Sequence, residues 1–198
     1  MSLEAIRARR SIRNFRSDPV PRELIDQVLE AARLAPSGKN QQPWRFNVYG
    51  GEAKRALLEA MAHGLERELR GQALLPASRA GLADAANTLR IMRKAPVIIL
   101  ALDAYGDDPF APSEGGARIA DLVNTLSMGA AIENLLLAAQ ELGLGALWIA
   151  NTFFAYPELC ACLDMPLRLI SAVALGYANE APPPRPRKAL EEIAIYRL

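Results

Sequence analysis

The first residues in this chain that could do chemistry are arginines near the N-terminus. Five arginines fall between Arg7 and Arg16, and no acidic residue lies between Glu4 and Asp18. Guanidinium groups bind phosphate oxygens through paired hydrogen bonds, and a hydroxyl group can serve an oxygen that remains. The candidate phosphate ligands in this segment are Arg9, Arg10, Ser11 and Arg13. A basic run is also typical of a solvated surface or of a nucleic-acid-binding arm, so this segment alone leaves its ligand open.

A second polar stretch, residues 35–46, has the composition of a binding loop. Its proline and glycine residues predict a loop, and its amide and hydroxyl groups could pair with the polar edge of a heterocycle or with a sugar chain. Trp44 would anchor the end of the loop, where a strand starts. The candidate ligand-binding residues are Pro36, Ser37, Gly38, Asn40 and Gln42. An ordinary surface loop with common turn chemistry is the alternative interpretation.

Together the two stretches resemble a known family. Arg-Arg-Ser-Ile-Arg at residues 9–13, followed by Ala-Pro-Ser-Gly-x-Asn-x-Gln-Pro-Trp at residues 35–44, is similar to the nitroreductase family of flavin mononucleotide (FMN) oxidoreductases. The order and separation of the motifs fit, and the match can be followed to the C-terminus. The resemblance implies an enzyme in which FMN accepts hydride from NADH or NADPH and then, by a ping-pong sequence, reduces a nitroaromatic, a quinone or a similar small acceptor. It also implies a homodimer with the flavin at the subunit interface.

The resemblance assigns roles to further residues. Asn87 and Arg90 are three positions apart, hence on one helix face, and match a pair that contacts the polar edge of the flavin. Ala150 and Asn151 match the turn whose backbone approaches the reactive flavin nitrogen. Many relatives have glycine in this turn, and an asparagine tolerates left-handed backbone geometry. The remaining candidates, a basic pair that would join the N-terminal arginines at the flavin phosphate, are Arg185 and Arg187. Because the chemistry takes place on the flavin, we expect no catalytic side chain.

The composition fits one globular domain spanning residues 1–198. The chain is 51% hydrophobic and 23% charged with a net charge of +1, so bulk charge argues against non-specific nucleic-acid binding. A single histidine and one Cys-x-Cys pair do not suit a metal site, and the single histidine makes a histidine-dependent triad a poor expectation. Arginines stand where a signal peptide would need an apolar run, so we expect a cytoplasmic protein.

The apolar periodicity predicts individual helices and strands, and the resemblance implies that they form an α+β fold in which helices wrap a mixed central β-sheet. Residues 24–32 and 81–94 have helical spacing, and residues 96–102 are typical of a strand buried on both faces. Residues 118–142 form the longest helical pattern, apolar around most of the helix circumference but interrupted by polar residues, so we expect no membrane span. Because one domain of this size can hardly bury such a helix, we expect a second subunit to cover part of it.

Two segments are expected to be irregular. Residues 63–80 are poorly patterned and contain Gly64, Gly71 and Pro76, and residues 103–116 are rich in aspartate, glycine and proline. Segments of this length without regular structure are often active-site lids or rims. Which acceptor the protein reduces would depend on such variable loops.

Two other functions stay open from the sequence. One is a specialised activity within the family, such as reductive dehalogenation or flavin destruction. The other is a non-catalytic module that binds an anion or nucleic acid through the arginine clusters. The leading hypothesis remains the FMN-dependent reductase, with a small-molecule acceptor and a second copy of the chain as its partners, and without nucleic acid or membrane.

Overall fold

A computed structural model describes residues 3–112, 114–163 and 167–198. Its helices and strands are interspersed along the chain. The helices are α1 Leu3–Ala8, α2 Arg22–Arg33, α3 Gly51–Leu69, α4 Leu82–Lys94, α5 Gly115–Glu141, α6 Tyr156–Cys160 and α7 Leu190–Ile193. The strands are β1 Trp44–Tyr49, β2 Val97–Asp103, β3 Gly145–Ile149 and β4 Arg168–Gly176. Short 3-10 helices occupy Gly38–Asn40, Pro76–Gly81 and Asn151–Ala155.

The strands form a sheet in the order β1-β2-β4-β3, and each of these pairs is antiparallel. The register places Phe46 opposite Ala101 and Leu147 opposite Ala174. A parallel bridge joins Ser11 to Ala146 at the outer edge of β3. The predicted α+β class is confirmed, although the mixed character of the sheet rests on that single parallel bridge among the described residues.

Strand β2 divides the apolar core into two halves. All seven of its residues are buried, as its continuous apolar run predicts. Ile98 and Leu100 belong to a cluster built with α3, α4 and α6. Ile99 and Ala101 belong to a cluster built with α2 and α5. Because side chains alternate across a strand, β2 positions helices on both faces of the sheet.

The segment of residues 63–80 is more regular than expected. Helix α3 continues to Leu69, and a 3-10 helix follows at Pro76–Gly81. Gly64 lies inside α3. A β-carbon at this position would come within 2.4 Å of Ala155 Cα, so only glycine allows the helix to pack this closely. The glycine that suggested a break instead permits close packing, so the prediction of an irregular segment is wrong for residues 63–69.

Arg67 ties the end of α3 to the rest of the fold. Its Nε donates to Glu158 Oε1 at 2.7 Å, and its Nη1 donates to Glu68 Oε1 at 2.8 Å. Glu68 Oε1 also accepts the backbone N–H of Leu74 at 2.7 Å, and the Glu68 side chain is only 1% exposed. The buried Glu68 carboxylate thus has both a charged and a backbone hydrogen-bond donor, which offsets the cost of its burial. These hydrogen bonds order the turn after α3.

The connection between β2 and α5 has no helix or strand over residues 104–112, as predicted, and Ser113 lies outside the described residues. Its start is anchored by a buried ion pair, in which Arg168 Nη2 donates to Asp103 Oδ2 at 2.9 Å. Removing one partner of such a pair would leave an uncompensated buried charge. The base of this connection is therefore fixed, and its role as a lid stays a prediction.

Helix α5 is covered along only part of its length. Its C-terminal half, from Ala131 to Ala139, lies largely in the core, whereas large side chains of its N-terminal half are exposed. The exposed residues are Ile119, Leu122, Val123 and Leu126. By length and a mean hydropathy of 1.4 the helix could also cross a membrane, but 56% of that stretch is buried inside this protein. The core helix of a soluble protein passes the same test.

Candidate cofactor site

The N-terminal arginine segment is fastened along the edge of the sheet. The backbone N–H of Ile12 donates to the carbonyl of Ala146 in β3 at 3.0 Å, and Phe15 bridges to Ala178. Both Ile12 and Phe15 are 6% exposed, so they act as apolar anchors. A β-carbon at Gly145 would lie 2.9 Å from Ile12 Cγ1, which explains the small residue beneath the segment. The anchors leave the arginine side chains on the outer surface.

Both arginine clusters line one cavity of about 710 Å³, here called the arginine cavity. Its lining residues are Ile6, Arg7, Arg9, Arg10, Ser11, Arg13, Pro182, Pro183, Pro184, Arg185, Pro186 and Arg187. Residues 6–13 form one wall and residues 182–187 form the other. Binding cavities for small molecules commonly have volumes of about 300–1,000 Å³, so this cavity is large enough for a nucleotide-sized ligand.

The guanidinium groups of the arginine cavity are held by backbone carbonyls rather than by acids. Arg10 Nη1 donates to Arg7 O at 2.7 Å, Arg13 Nη1 to Ser11 O at 3.2 Å, and Arg187 Nη1 to Arg185 O at 3.2 Å. Within the described ranges, no carboxylate forms an ion pair with Arg10, Arg13, Arg185 or Arg187. The cavity therefore offers uncompensated positive charge to an anion.

Arg9 is the exception within the cluster. Its Nε lies 3.3 Å from Glu133 Oε1 of α5, an ion-pair distance, but this buried nitrogen makes no hydrogen bond. A buried donor without a partner costs free energy. Arg9 is thus tethered toward α5 and still has an unused donor.

A second cavity of about 240 Å³, here called the Asn87 cavity, adjoins the first, since Arg13 lines both. Its other lining residues are Asp84, Asn87, Thr88, Ile91, Leu147, Trp148, Ile149, Ala150 and Asn151. Arg90 is exposed and does not line it, but Arg90 Nη2 donates to Asn87 Oδ1 at 2.9 Å. The predicted pair therefore shares a face of α4, with only Asn87 on the cavity.

The turn after β3 has a geometry that the sequence did not suggest. Ala150 has φ −95° and ψ −18°, and Asn151 is not in the left-handed region, so its tolerance of that geometry is not used here. The Asn151 side chain instead donates to Asp84 Oδ2 at 2.8 Å and to Thr88 Oγ1 at 3.0 Å. Asp84 and Thr88 are four residues apart on α4, beside Asn87. This spacing places both on one helix face, and it was the signal in the sequence that could have identified them as site residues.

The loop of residues 36–42 lies elsewhere, against α5. The backbone N–H of Gly38 donates to Ser127 Oγ at 3.3 Å, and a β-carbon at Gly38 would come within 2.4 Å of Val123 Cγ1. The backbone N–H of Gln42 donates to Ser37 Oγ at 3.0 Å. Of the predicted loop residues Pro36, Ser37, Gly38, Asn40 and Gln42, none lines the arginine cavity or the Asn87 cavity of the same chain.

The same loop carries backbone strain. Lys39, Asn40 and Gln42 have φ of 51°, 57° and 50°, in the left-handed region that disfavours residues other than glycine. Residues with strained backbones persist only where surrounding contacts hold them, and they often occur at ligand-binding sites. The loop is therefore shaped by its contacts with α5, next to the exposed apolar part of that helix.

The part of the chain that the structure describes has no metal-binding cluster and no activated thiol. It contains no group of three or more His, Cys, Asp or Glu side chains that could hold a metal ion. Cys160 and Cys162 are free, and burial raises the pKa of both thiols. A thiol that stays protonated is a poor nucleophile, so neither cysteine is activated for covalent chemistry.

Comparison with known proteins decides the family. A sequence model of the Nitroreductase family matches residues 6–177. The chain belongs to the nitroreductase family. This confirms the family predicted from the two motifs, and with it the prediction of a flavin-dependent oxidoreductase. Nitroreductase-family proteins are soluble, which agrees with the partial burial of α5.

Individual nitroreductase relatives cover nearly the whole chain. It is 30% identical over 185 residues to the 5,6-dimethylbenzimidazole synthase of Rhodospirillum rubrum, covering 88% of this chain and 81% of that protein. A crystal structure from Desulfovibrio desulfuricans, in complex with FMN, is 31% identical with a TM-score of 0.71, covering 99% of this chain and 96% of that one. The FMN- and NADPH-dependent nitroreductase NfnB of Sphigopyxis sp. strain HMH is 26% identical with a TM-score of 0.76, covering 100% of this chain and 99% of that one.

Proposed function

We propose that this nitroreductase-family protein binds FMN and uses NADH or NADPH to reduce a small acceptor such as a nitroaromatic compound or a quinone. The observation that carries the proposal is that basic clusters from opposite ends of the chain line one cavity. In a chain with a net charge of +1, such a convergence needs an anion to balance it locally.

The side chains present fit the phosphate end of FMN. Arginine forks and a serine hydroxyl match the oxygens of a phosphate group. Arg10, Arg13, Arg185 and Arg187 have no competing carboxylate among the described residues, and Arg9 has an unused buried donor. Ligand binding would replace hydrogen bonds to neutral backbone carbonyls by hydrogen bonds to a charged phosphate.

The Asn87 cavity fits the polar edge of the flavin ring. Arg90 donates to the Asn87 amide oxygen, which leaves the Asn87 amide nitrogen as a free donor toward the cavity. Asp84 and Thr88 fix Asn151, so the backbone beside Ala150 is held in one position. Bound FMN would supply the hydride-accepting and hydride-donating chemistry, and these residues would bind and orient it.

A homodimer completes the proposal. The exposed apolar side chains of α5 lie on one face of the helix, and the strained loop of residues 36–42 packs against the edge of that face. A second copy packed there would bury both and would bring its own loop toward the cavities. The exposed C-terminal residues Ile195 and Tyr196 would be covered by the same contact. We further propose a cytoplasmic location, which the free cysteines support.

Flavin titration tests the binding proposal. Arg13→Ala and Arg187→Ala each remove one charge-assisted hydrogen bond, so we expect FMN affinity to fall roughly ten- to a hundredfold. Affinity for riboflavin, which lacks the phosphate, should stay unchanged. Arg22→Ala is the matched control, because Arg22 is 83% exposed on α2 and pairs only with Asp26. Unchanged FMN affinity in both cavity variants would refute the assignment.

A specialised family activity is the second candidate. It is favoured by the similarity to the 5,6-dimethylbenzimidazole synthase, which is a synthase by name and not a reductase. An anaerobic panel of acceptors with NADH and NADPH, and a parallel incubation of the reduced protein with dioxygen followed by chromatography of the flavin, separate the two. Acceptor reduction with intact FMN supports the reductase, and loss of the flavin without acceptor turnover supports the alternative.

A further inference from the structure

A single carboxylate joins the two walls of the arginine cavity. Glu180 Oε1 accepts the backbone N–H of Asn14 at 3.1 Å and also the backbone N–H of Arg13. These partners are 166 and 167 residues away in the sequence. Glu180 lies two residues before the wall of residues 182–187, and Arg13 belongs to the opposite wall. The two hydrogen bonds therefore connect one wall directly to the other.

Further hydrogen bonds surround Glu180 where residues 13–14 meet residues 179–180, a contact here called the junction. The backbone N–H of Asn179 donates to Asn14 O at 2.9 Å, and Lys94 Nζ donates to Asn14 Oδ1 at 3.3 Å. Lys94 ends α4, the helix that carries Asn87. The junction thus links both walls of the arginine cavity to the helix of the Asn87 cavity. Hydrogen bonds to a charged acceptor are stronger than neutral ones, so Glu180 is its strongest member.

We propose that Glu180 is a positioning residue that clamps the two walls of the arginine cavity and so gives the enzyme its preference for a phosphorylated flavin. This inference rests on the proposed FMN function. Glu180 itself does not line the arginine cavity. It fixes the backbone of Arg13 relative to Arg185 and Arg187, and phosphate recognition needs those guanidinium groups at a set separation.

The sign of the effect distinguishes the clamp from simple electrostatics. A carboxylate near a phosphate site repels the ligand, so if charge alone mattered, removing Glu180 would tighten FMN binding. A clamp predicts the opposite result for Glu180→Ala. Glu180→Gln keeps an oxygen that can accept both backbone N–H groups while removing the charge. Glu180→Asp keeps the charge but shortens the side chain by one methylene, so it cannot span the same gap.

The experiment measures dissociation constants for FMN and for riboflavin by quenching of flavin fluorescence. For Glu180→Ala we expect FMN affinity to fall about tenfold, as for a lost charge-assisted hydrogen bond, with riboflavin affinity unchanged. Glu180→Asp should show a similar loss, and Glu180→Gln should retain or exceed wild-type affinity. Glu23→Ala is the control, because Glu23 is exposed on α2 and has no side-chain partner among the described residues.

The outcomes separate this inference from the proposed function. If the wild type prefers FMN over riboflavin but Glu180→Ala binds FMN as tightly as the wild type, or more tightly, the clamp is refuted and the function stands. If the wild type shows no preference for FMN, both proposals fail. Should Glu180→Ala not fold, equal FMN affinity in Glu180→Asp and Glu180→Gln would refute the clamp, and a loss confined to Glu180→Asp would support it.

Discussion

Gly64 gives a sharp test of how α3 is packed against the turn that follows β3. A β-carbon at Gly64 would lie 2.3 Å from Ala155 Cβ and 2.4 Å from Ala155 Cα. Carbon atoms in good contact are about 3.5–4.0 Å apart, so Gly64→Ala would force α3 and the 3-10 helix Asn151–Ala155 apart by more than about 1 Å. Since one of the clashing atoms is backbone, a side-chain rotation cannot relieve the contact.

Two opposing effects decide the sign of the change. Replacing glycine by alanine inside a helix stabilises it by about 1 kcal/mol. Overpacking a well-filled core costs about 1–3 kcal/mol, and a clash with backbone belongs to the upper end of that range. The net expectation for Gly64→Ala is a loss of about 2 kcal/mol in the free energy of unfolding. Because the displaced 3-10 helix starts at Asn151, the hydrogen bonds from Asn151 to Asp84 and Thr88 should weaken as well.

Urea unfolding followed by circular dichroism measures this change. Gly129→Ala is the matched control, since Gly129 also lies inside a helix and its β-carbon would meet only Trp148 Cη2, at 3.8 Å. The same chemical change should there stabilise the protein by up to about 1 kcal/mol. Opposite signs for the two variants support the packing argument. A Gly64→Ala protein as stable as the wild type would show that α3 and the turn after β3 are not in close contact.

Two further predictions concern acid stability and assembly. Burial raises the pKa of Glu158, but the hydrogen bonds from Arg67 and from its own backbone N–H, together with the charges of Arg67 and His63, outweigh burial and hold that pKa below its usual value of 4.5. The stabilisation is therefore present above that value and is lost as the pH falls through the folded-state pKa, so Glu158→Gln should cost about 1–2 kcal/mol near neutral pH and less near pH 3. Equal costs in urea unfolding at the two pH values would contradict this. Leu126, 75% exposed on α5, should lie in the dimer interface, so Leu126→Asp should sediment as a monomer where the wild type sediments as a dimer. A dimeric variant would place the interface elsewhere.

Much of the fold follows from local patterns in the sequence. The continuous apolar run at residues 96–102 indicated β2, and the apolar spacing before it indicated α4. The apolar run is too short for a typical buried helix, and the helical spacing does not fit a strand, so each pattern indicated one type of element. The exposed apolar face of α5 also agrees with a helix too apolar for one domain to cover.

Features that depend on distant contacts were missed. Gly64 suggested a break in the chain, but the small Ala155 opposite it permits a continuous helix. The side-chain hydrogen bonds of Asn151 to Asp84 and Thr88 were missed, because these partners lie on another helix. The role of Glu180 was missed, because its partners are more than 160 residues away. The ligand roles of the arginines stay predictions, although the structure brings both clusters to one cavity.

Binding of FMN in the arginine cavity, as proposed, would constrain when the protein can acquire its cofactor. One wall comes from residues 6–13 and the other from residues 182–187. During synthesis at about 5–20 residues per second, the second wall emerges roughly 10–35 s after the first. For most of that interval the first wall has neither Ala146 nor Glu180 to dock against. Contacts between such distant segments form late in folding, and a ligand stabilises only the state that binds it. FMN therefore cannot rescue a partly synthesised or C-terminally truncated chain, whose fate would depend on its own stability and on chaperones.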